Sequence, residues 1–308
     1  MGHGSYKASD WAALRTGKGI SGTNRVESFF TSSSALPYYN VKTIAVRESR
    51  DSADSPRSTP IIIGFDVTAS MGYLAKELSV NAVNKTVTAL YDDKPVSDPH
   101  VMCAAIGDSK CDVSPLQVTQ FEADIRMISQ LTELYLEGGG GGNNGESYHL
   151  LWYFAAFHTV ADCFEKRRDK GFLFTIGDDL CHPQLTASEI RRVFGDQTDY
   201  PFSNEELIRA ASEKYHLFHI NIENGNAYSA EVSRKWKQLM PGHATVIEKK
   251  NIDCLSDLIT AIIRVVSGMS VNEALQKADQ TAAERIARAM SFIEIHSESE
   301  QKKKIISF

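Results

Sequence analysis

The chain has 308 residues, 42% hydrophobic and 23% charged, an ordinary balance for a folded protein with enough length to bury a sizeable core. Its formal net charge is −6 and no basic stripe or arm runs through it, which excludes a general affinity for phosphate backbones or anionic membranes. No apolar run reaches the roughly 18 to 20 residues of a membrane helix.

The start, MGHGSY, lacks a charged region followed by an apolar one, so an intracellular, cytoplasmic chain is expected. Gly2 is similar to a myristoylation start, but Tyr6 stands where that motif has Ser or Thr. The five cysteines, Cys103, Cys111, Cys163, Cys181 and Cys254, show no C-x-x-C spacing and are expected to be reduced thiols. Residues 1–58 are rich in Gly, Ser, Asn and Arg and form an N-terminal extension, with a short edge strand expected at 41–46. The charge run RESRDS is expected to be a solvated linker.

From Pro60 the texture changes. IIIGFD is a continuous apolar run that stops at an acid, as buried parallel strands do. Val80, Val83, Val87 and Leu90 recur at steps of three and four, which predicts an amphipathic helix over about 71–91. Strands are predicted at 101–106 and 116–121, joined as a hairpin by GDSKCDVS, and a helix at about 122–135. After EGGGGGNNGES, the apolar YHLLWYFAAFHTVADCF predicts one helix buried on most sides. Further strands are predicted at 172–176, 217–222 and 245–247, with helices near 227–239 and 252–267.

A helical insertion is expected over 180–215, with capping boxes at Thr186 with Glu189 and Ser203 with Glu206. A third box, Ser270 with Glu273, opens a final helix to about 291, and the tail SESEQKKK is expected to fray. Strands alternating with helices predict an α/β fold: a doubly wound, mostly parallel sheet with one antiparallel edge strand and helices on both faces. The expected organisation is an extension at 1–58, a domain at 59–268 and a C-terminal helix and tail at 269–308.

In such sheets the ligand crevice lies outside the carboxyl ends of the strands. Three clusters fall there: DVTAS, NNGES and GDD. Asp66, Thr68 and Ser70, two residues apart in a tight loop, can aim three oxygens at one point, a ligand set that suits hard cations such as Mg2+. One carboxylate and two hydroxyls under-neutralise a dication, so further acids are needed. The plain alternative is a strand end followed by a helix cap.

The stretch IIIGFDVTASMG resembles the D-x-S-x-S signature of the metal-ion-dependent adhesion site of von Willebrand factor A domains, with Thr68 in place of the first Ser. That resemblance covers about residues 60–268 and implies a Rossmann-like fold. It implies a fourth ligand from the glycine-rich loop, carried to Glu146, with Asn144 and Ser147 as weaker candidates. It implies a fifth from FTIGDD, carried to Asp178, with Asp179 as the alternative and Gly177 where the family has Thr. A bound Mg2+, Mn2+ or Ca2+ would coordinate an acidic side chain of a partner protein, and intracellular relatives work with AAA-type ATPases or in multi-protein stress and defence systems.

Other patterns carry less. Gly138 to Gly142 are followed by no G-K-[ST], so a nucleotide loop is not expected. His158 and Asp162 have i, i+4 spacing that imitates a metal pair, but core packing is the expected role, as for His149. Cys181 and His182 are expected to be incidental loop positions. Two other functions fit the same acids. A Mg2+-dependent phosphohydrolase of the haloacid dehalogenase type would use Asp66 as nucleophile, but Thr68 stands where its second Asp belongs. A structural protein could keep the fold without using a metal.

Overall fold

The computed structural model describes residues 6–17, 30, 32–69, 71, 82–137 and 145–294. Ser70, Asn144, the five consecutive glycines, the first part of the 71–91 helix and the tail expected to fray lie outside these. Helix α1 is Ala8–Gly17. The next elements are strand β1 (Arg47–Ser49), strand β2 (Thr59–Asp66), helix α2 (Val83–Asp93), strand β3 (Pro99–Ile106), strand β4 (Leu116–Val118) and helix α3 (Arg126–Leu131). Then come helix α4 (Tyr148–Phe157), strand β5 (Thr159–Ala161), helix α5 (Asp162–Arg167), strand β6 (Gly171–Gly177), strand β7 (Gln184–Leu185), helix α6 (Ala187–Val193), strand β8 (Phe202–Ser203) and helix α7 (Asn204–Lys214). Strand β9 (Tyr215–Glu223), helix α8 (Ala227–Leu239), strand β10 (Ala244–Glu248), helix α9 (Leu255–Val266), helix α10 (Val271–Gln276) and helix α11 (Ala283–Met290) complete the chain.

Six strands form one sheet in the order β10-β9-β6-β2-β3-β4. All pairs are parallel except β3 with β4, the antiparallel edge that the GDSKCDVS hairpin predicts. The period of two sorts side chains onto two cores. Ile61, Ile63 and Phe65 of β2 face Val87 and Leu90 of α2 and Ile259 and Ile262 of α9. Ile62, Met102 of β3 and Leu173 of β6 face Leu151 and Phe154 of α4 and Trp236 of α8. Helices on both faces make the fold doubly wound. At the centre, a Cβ on Gly64 would lie 2.3 Å from Cδ2 of Leu151, so glycine lets α4 seat against β2.

Several expectations change. The apolar segment after the glycine loop is not one helix: α4 ends at Phe157, and β-branched Thr159 and Val160 enter β5, which pairs in parallel with β1. Nζ of Lys214 donates to the carbonyls of Ala156 and Thr159 at 2.7 and 2.9 Å, satisfying groups at this helix end. The strand expected at 41–46 is instead a 3-10 turn, Val41–Thr43, and the paired segment starts at Arg47, away from the main sheet.

The RESRDS run is docked rather than solvated. Arg47 and Ser49 are buried, and Asp162 accepts from Nη1 of Arg50 at 2.9 Å and from the amide of Asp51 at 2.9 Å. Asp51 in turn accepts from Arg167 at 2.7 Å. All three capping boxes form. Of the two helices in the 180–215 segment, α7 packs along α4 and leads into β9, so it serves as the crossover between β6 and β9. The last helix is two, because Asp279 accepts from the amide and hydroxyl of Thr281 at 2.9 and 2.8 Å and turns the chain.

Candidate functional site

The chain runs outward from β2 through β3 to β4, then returns to β6 and runs the other way through β9 to β10. Neighbouring strands β2 and β6 therefore form the topological switch point, whose carboxyl ends open the crevice of a doubly wound sheet. Asp66 ends β2 and Gly177 ends β6, with Asp178 next in the chain.

Asp66 is fully buried. The turn after β2 brings the amide and hydroxyl of Thr68 back to donate to its Oδ1, at 2.8 and 2.6 Å. The hydroxyl of Tyr148 donates to Oδ2 at 2.9 Å. Burial pushes the carboxyl up to about 7, against the hydrogen bonds from Thr68 and with the charge of Asp178 adding to the rise.

Glu146 reaches the same place from another part of the chain. Its amide donates to the carbonyl of Leu180 at 2.7 Å, and its carbonyl accepts from the amide of His182 at 3.0 Å, so the residue is pinned to the segment that follows β6. The preceding Gly145 allows this, since a Cβ there would lie 2.8 Å from Nδ1 of His182. Glu146 is 4% exposed, and among the described residues its Oε2 has no hydrogen-bond partner. Burial, then the charges of Asp66 and Asp108, push its carboxyl up to about 9, and Thr68 is a hydrogen-bond neighbour that opposes them.

Gly177 has a steric reason of its own. A Cβ there would lie 1.9 Å from the hydroxyl of Tyr148 and 2.8 Å from Cβ of Asp66, so Tyr148 occupies the space that a side chain would need. The two acids that follow are in different settings. Oδ1 of Asp179 accepts from the hydroxyl of Tyr228 at 2.5 Å and from the amide of Leu180 at 2.7 Å, and its carbonyl accepts from Nε1 of Trp236 at 3.0 Å. Asp178, half-buried, acts on Asp66 and Tyr148 through its charge.

Asp66, Thr68, Glu146 and Asp178 are thus brought together at one crevice, while Ser70 lies outside the described residues. Among the described residues, no group of three or more His, Cys, Asp or Glu side chains is placed to hold a metal ion. Oε2 of Glu146 is the site oxygen without a hydrogen-bond partner among the described residues, and the acids are not closed into a cage.

A second cluster lies in GDSKCDVS, which local pattern marks only as a turn although it too follows the carboxyl end of a strand. Asp108 is fully buried and accepts from Nε2 of His182 at 2.8 Å, from the amide of Lys110 at 2.9 Å and from the hydroxyl of Ser147 at 3.3 Å. His182, expected to be incidental, is a buried strut whose carbonyl accepts from Nδ2 of Asn204 at 2.8 Å. His149 contacts Sγ of Cys181 at 3.1 Å, but burial holds the imidazole down to about 3 and pushes the thiol up, so neither is an activated nucleophile or base. His158 and Asp162 do not converge: His158 contacts Asp196 at 2.8 Å, whereas Asp162 holds Arg50 and Lys166.

The fold and site define a doubly wound α/β protein with buried acids at its switch point. No family model matches the chain, and no curated protein matches it. Among solved structures it is similar to the pilus adhesin SpaC from Lactobacillus rhamnosus GG. The open conformation matches at a TM-score of 0.45 and 9% identity, over 75% of this chain and 31% of that chain. A second form of the adhesin matches at 0.40 and 10%, over 75% and 32%. The chain spans about a third of these adhesins, and likenesses of this strength carry no argument about function. Among the described residues, no helix is long and apolar enough to cross a membrane.

Proposed function

We propose that the chain is a cation-dependent protein-binding module of the von Willebrand factor A type, working within a multi-protein assembly. Asp66, Thr68, Ser70, Glu146 and Asp178 would hold Mg2+, Mn2+ or Ca2+, with Asp179 as an anchor of the loop. When bound, the cation supplies a Lewis-acidic position for a carboxylate of the partner. The observation that carries this reading is a pair of buried acids, Asp66 and Glu146, the charge of the first raising the proton affinity of the second, with Oε2 of Glu146 lacking a hydrogen-bond partner among the described residues. Isolated buried carboxylates are costly, and a cation at that point would offset the cost.

A second reading, a structural module that uses no metal, is favoured by one observation: both oxygens of Asp66 are already satisfied by Thr68 and Tyr148. Retention of partners on the immobilised chain separates the two. The first reading expects retention with Mg2+, release by EDTA and by an excess of acidic peptide, and loss in Asp66→Ala. Retention indifferent to EDTA supports the second.

A further inference from the structure

Away from the switch point, a groove of about 280 Å³ opens beside β9 and β10. One stripe of α8 lines it, with Ala230, Ser233, Arg234 and Lys237 at helical spacing. The opposite wall is α11 and the turn after it, which present Arg285, Ala289 and Phe292, and the edge strand β10 forms the floor. Among the described residues four cations line this groove against two acids, and of the four Arg234 pairs with Glu231 at 2.5 Å and Arg288 lies 3.6 Å from Glu248.

The acids are occupied. Oε1 of Glu223 accepts from the hydroxyl of Ser233 at 3.3 Å, and Glu248 is 2.6 Å from Nζ of Lys250. Lys237 is not matched in this way. Among the described residues it makes no ion pair, and its ammonium sits 3.3 Å from the centroid of the Phe292 ring. Burial lowers its pKa, with the charge of Glu223 opposing the shift and that of Arg288 adding to it. Arg285 bonds to neutral oxygens of Asn251 and Thr281 and has Asp253 only at 3.8 Å.

We propose that this groove binds a small organic carboxylate with an apolar body, its charge between Lys237 and Arg285 and its body on Ala230, Ile286 and Ala289. The volume of about 280 Å³ lies just below the about 300 to 1,000 Å³ of drug-sized small-molecule sites, and so suits a smaller acid of the size of octanoate. Neither a metal nor the acids at the switch point take part.

Titration calorimetry of the full chain with octanoate and with 1-octanol tests this. Octanoate is expected to bind saturably, one per chain, and octanol not to compete. Lys237→Met, which keeps the packing on Phe292 and removes the charge, is expected to weaken binding about tenfold. Ala289→Phe, which fills the groove, is expected to abolish it, with both variants checked for an unchanged melting profile. No saturable heat with octanoate, octanol binding as tightly, or wild-type affinity in Lys237→Met and Arg285→Gln would overturn the proposal.

Discussion

Gly177 and Tyr148 compete for one volume at the end of β6. With 1.9 Å between a Cβ at 177 and the Tyr148 hydroxyl, Gly177→Ala forces the ring away from Asp66 and is expected to cost about 1 to 3 kcal/mol in urea unfolding. Tyr148→Phe removes only the hydrogen bond to Asp66, and about 1 to 2 kcal/mol of destabilisation is expected. The two changes share a contact, so the double variant should lose less than the sum of the singles. Strict additivity would mean that the ring does not press on Gly177. The sequence offered GDD where the family resemblance implies a Thr, and nothing local could explain it. The reason is a tyrosine 29 positions upstream, at the start of another helix.

At the scale of elements, hydrophobic period and capping residues located the sheet strands, α8 and α9 closely, because each is specified by its own residues. What local pattern missed was set by pairing across the chain. Thr159–Ala161 reads as helix until Arg47–Ser49 is laid beside it, and RESRDS reads as linker until Asp162, Glu165 and Arg167 are placed opposite its charges. Asp162→Ala should therefore leave the Asp51 amide without its partner, remove one of the three carboxylates that hold Arg50, and loosen β1 from β5. Faster hydrogen exchange over 47–51 than in the main sheet is the expected result, and unchanged protection there would contradict this docking. The candidate site was legible in part: Asp66 and Glu146 sit where strand ends and the glycine loop suggest, but the Asp108–His182 strut needed the fold.

For the whole molecule, the acid pair makes stability depend on pH. Folded-state values of about 7 for Asp66 and about 9 for Glu146 lie above those of unfolded carboxyls, so the native state holds more protons. Their contribution is fully present below the unfolded values near 4 and is lost as pH rises through the folded ones. Without divalent cations, the melting temperature should fall between pH 7 and pH 9, and Glu146→Gln should flatten that fall. An equal fall in the variant would remove Glu146 from the account.

The central claim, that these carboxylates hold a divalent cation, is tested most directly by thermal melting and calorimetry at pH 7.5 with Mg2+ and Mn2+, on the parent and on Asp66→Ala. At about a hundredfold excess over Kd, binding stabilises by roughly 2.7 kcal/mol, which should raise the parent's melting temperature by about 5 °C. The account expects that rise and measurable heat in the parent, with both absent in Asp66→Ala. Identical melting of the parent in EDTA and in Mn2+, with no heat of binding, would contradict it.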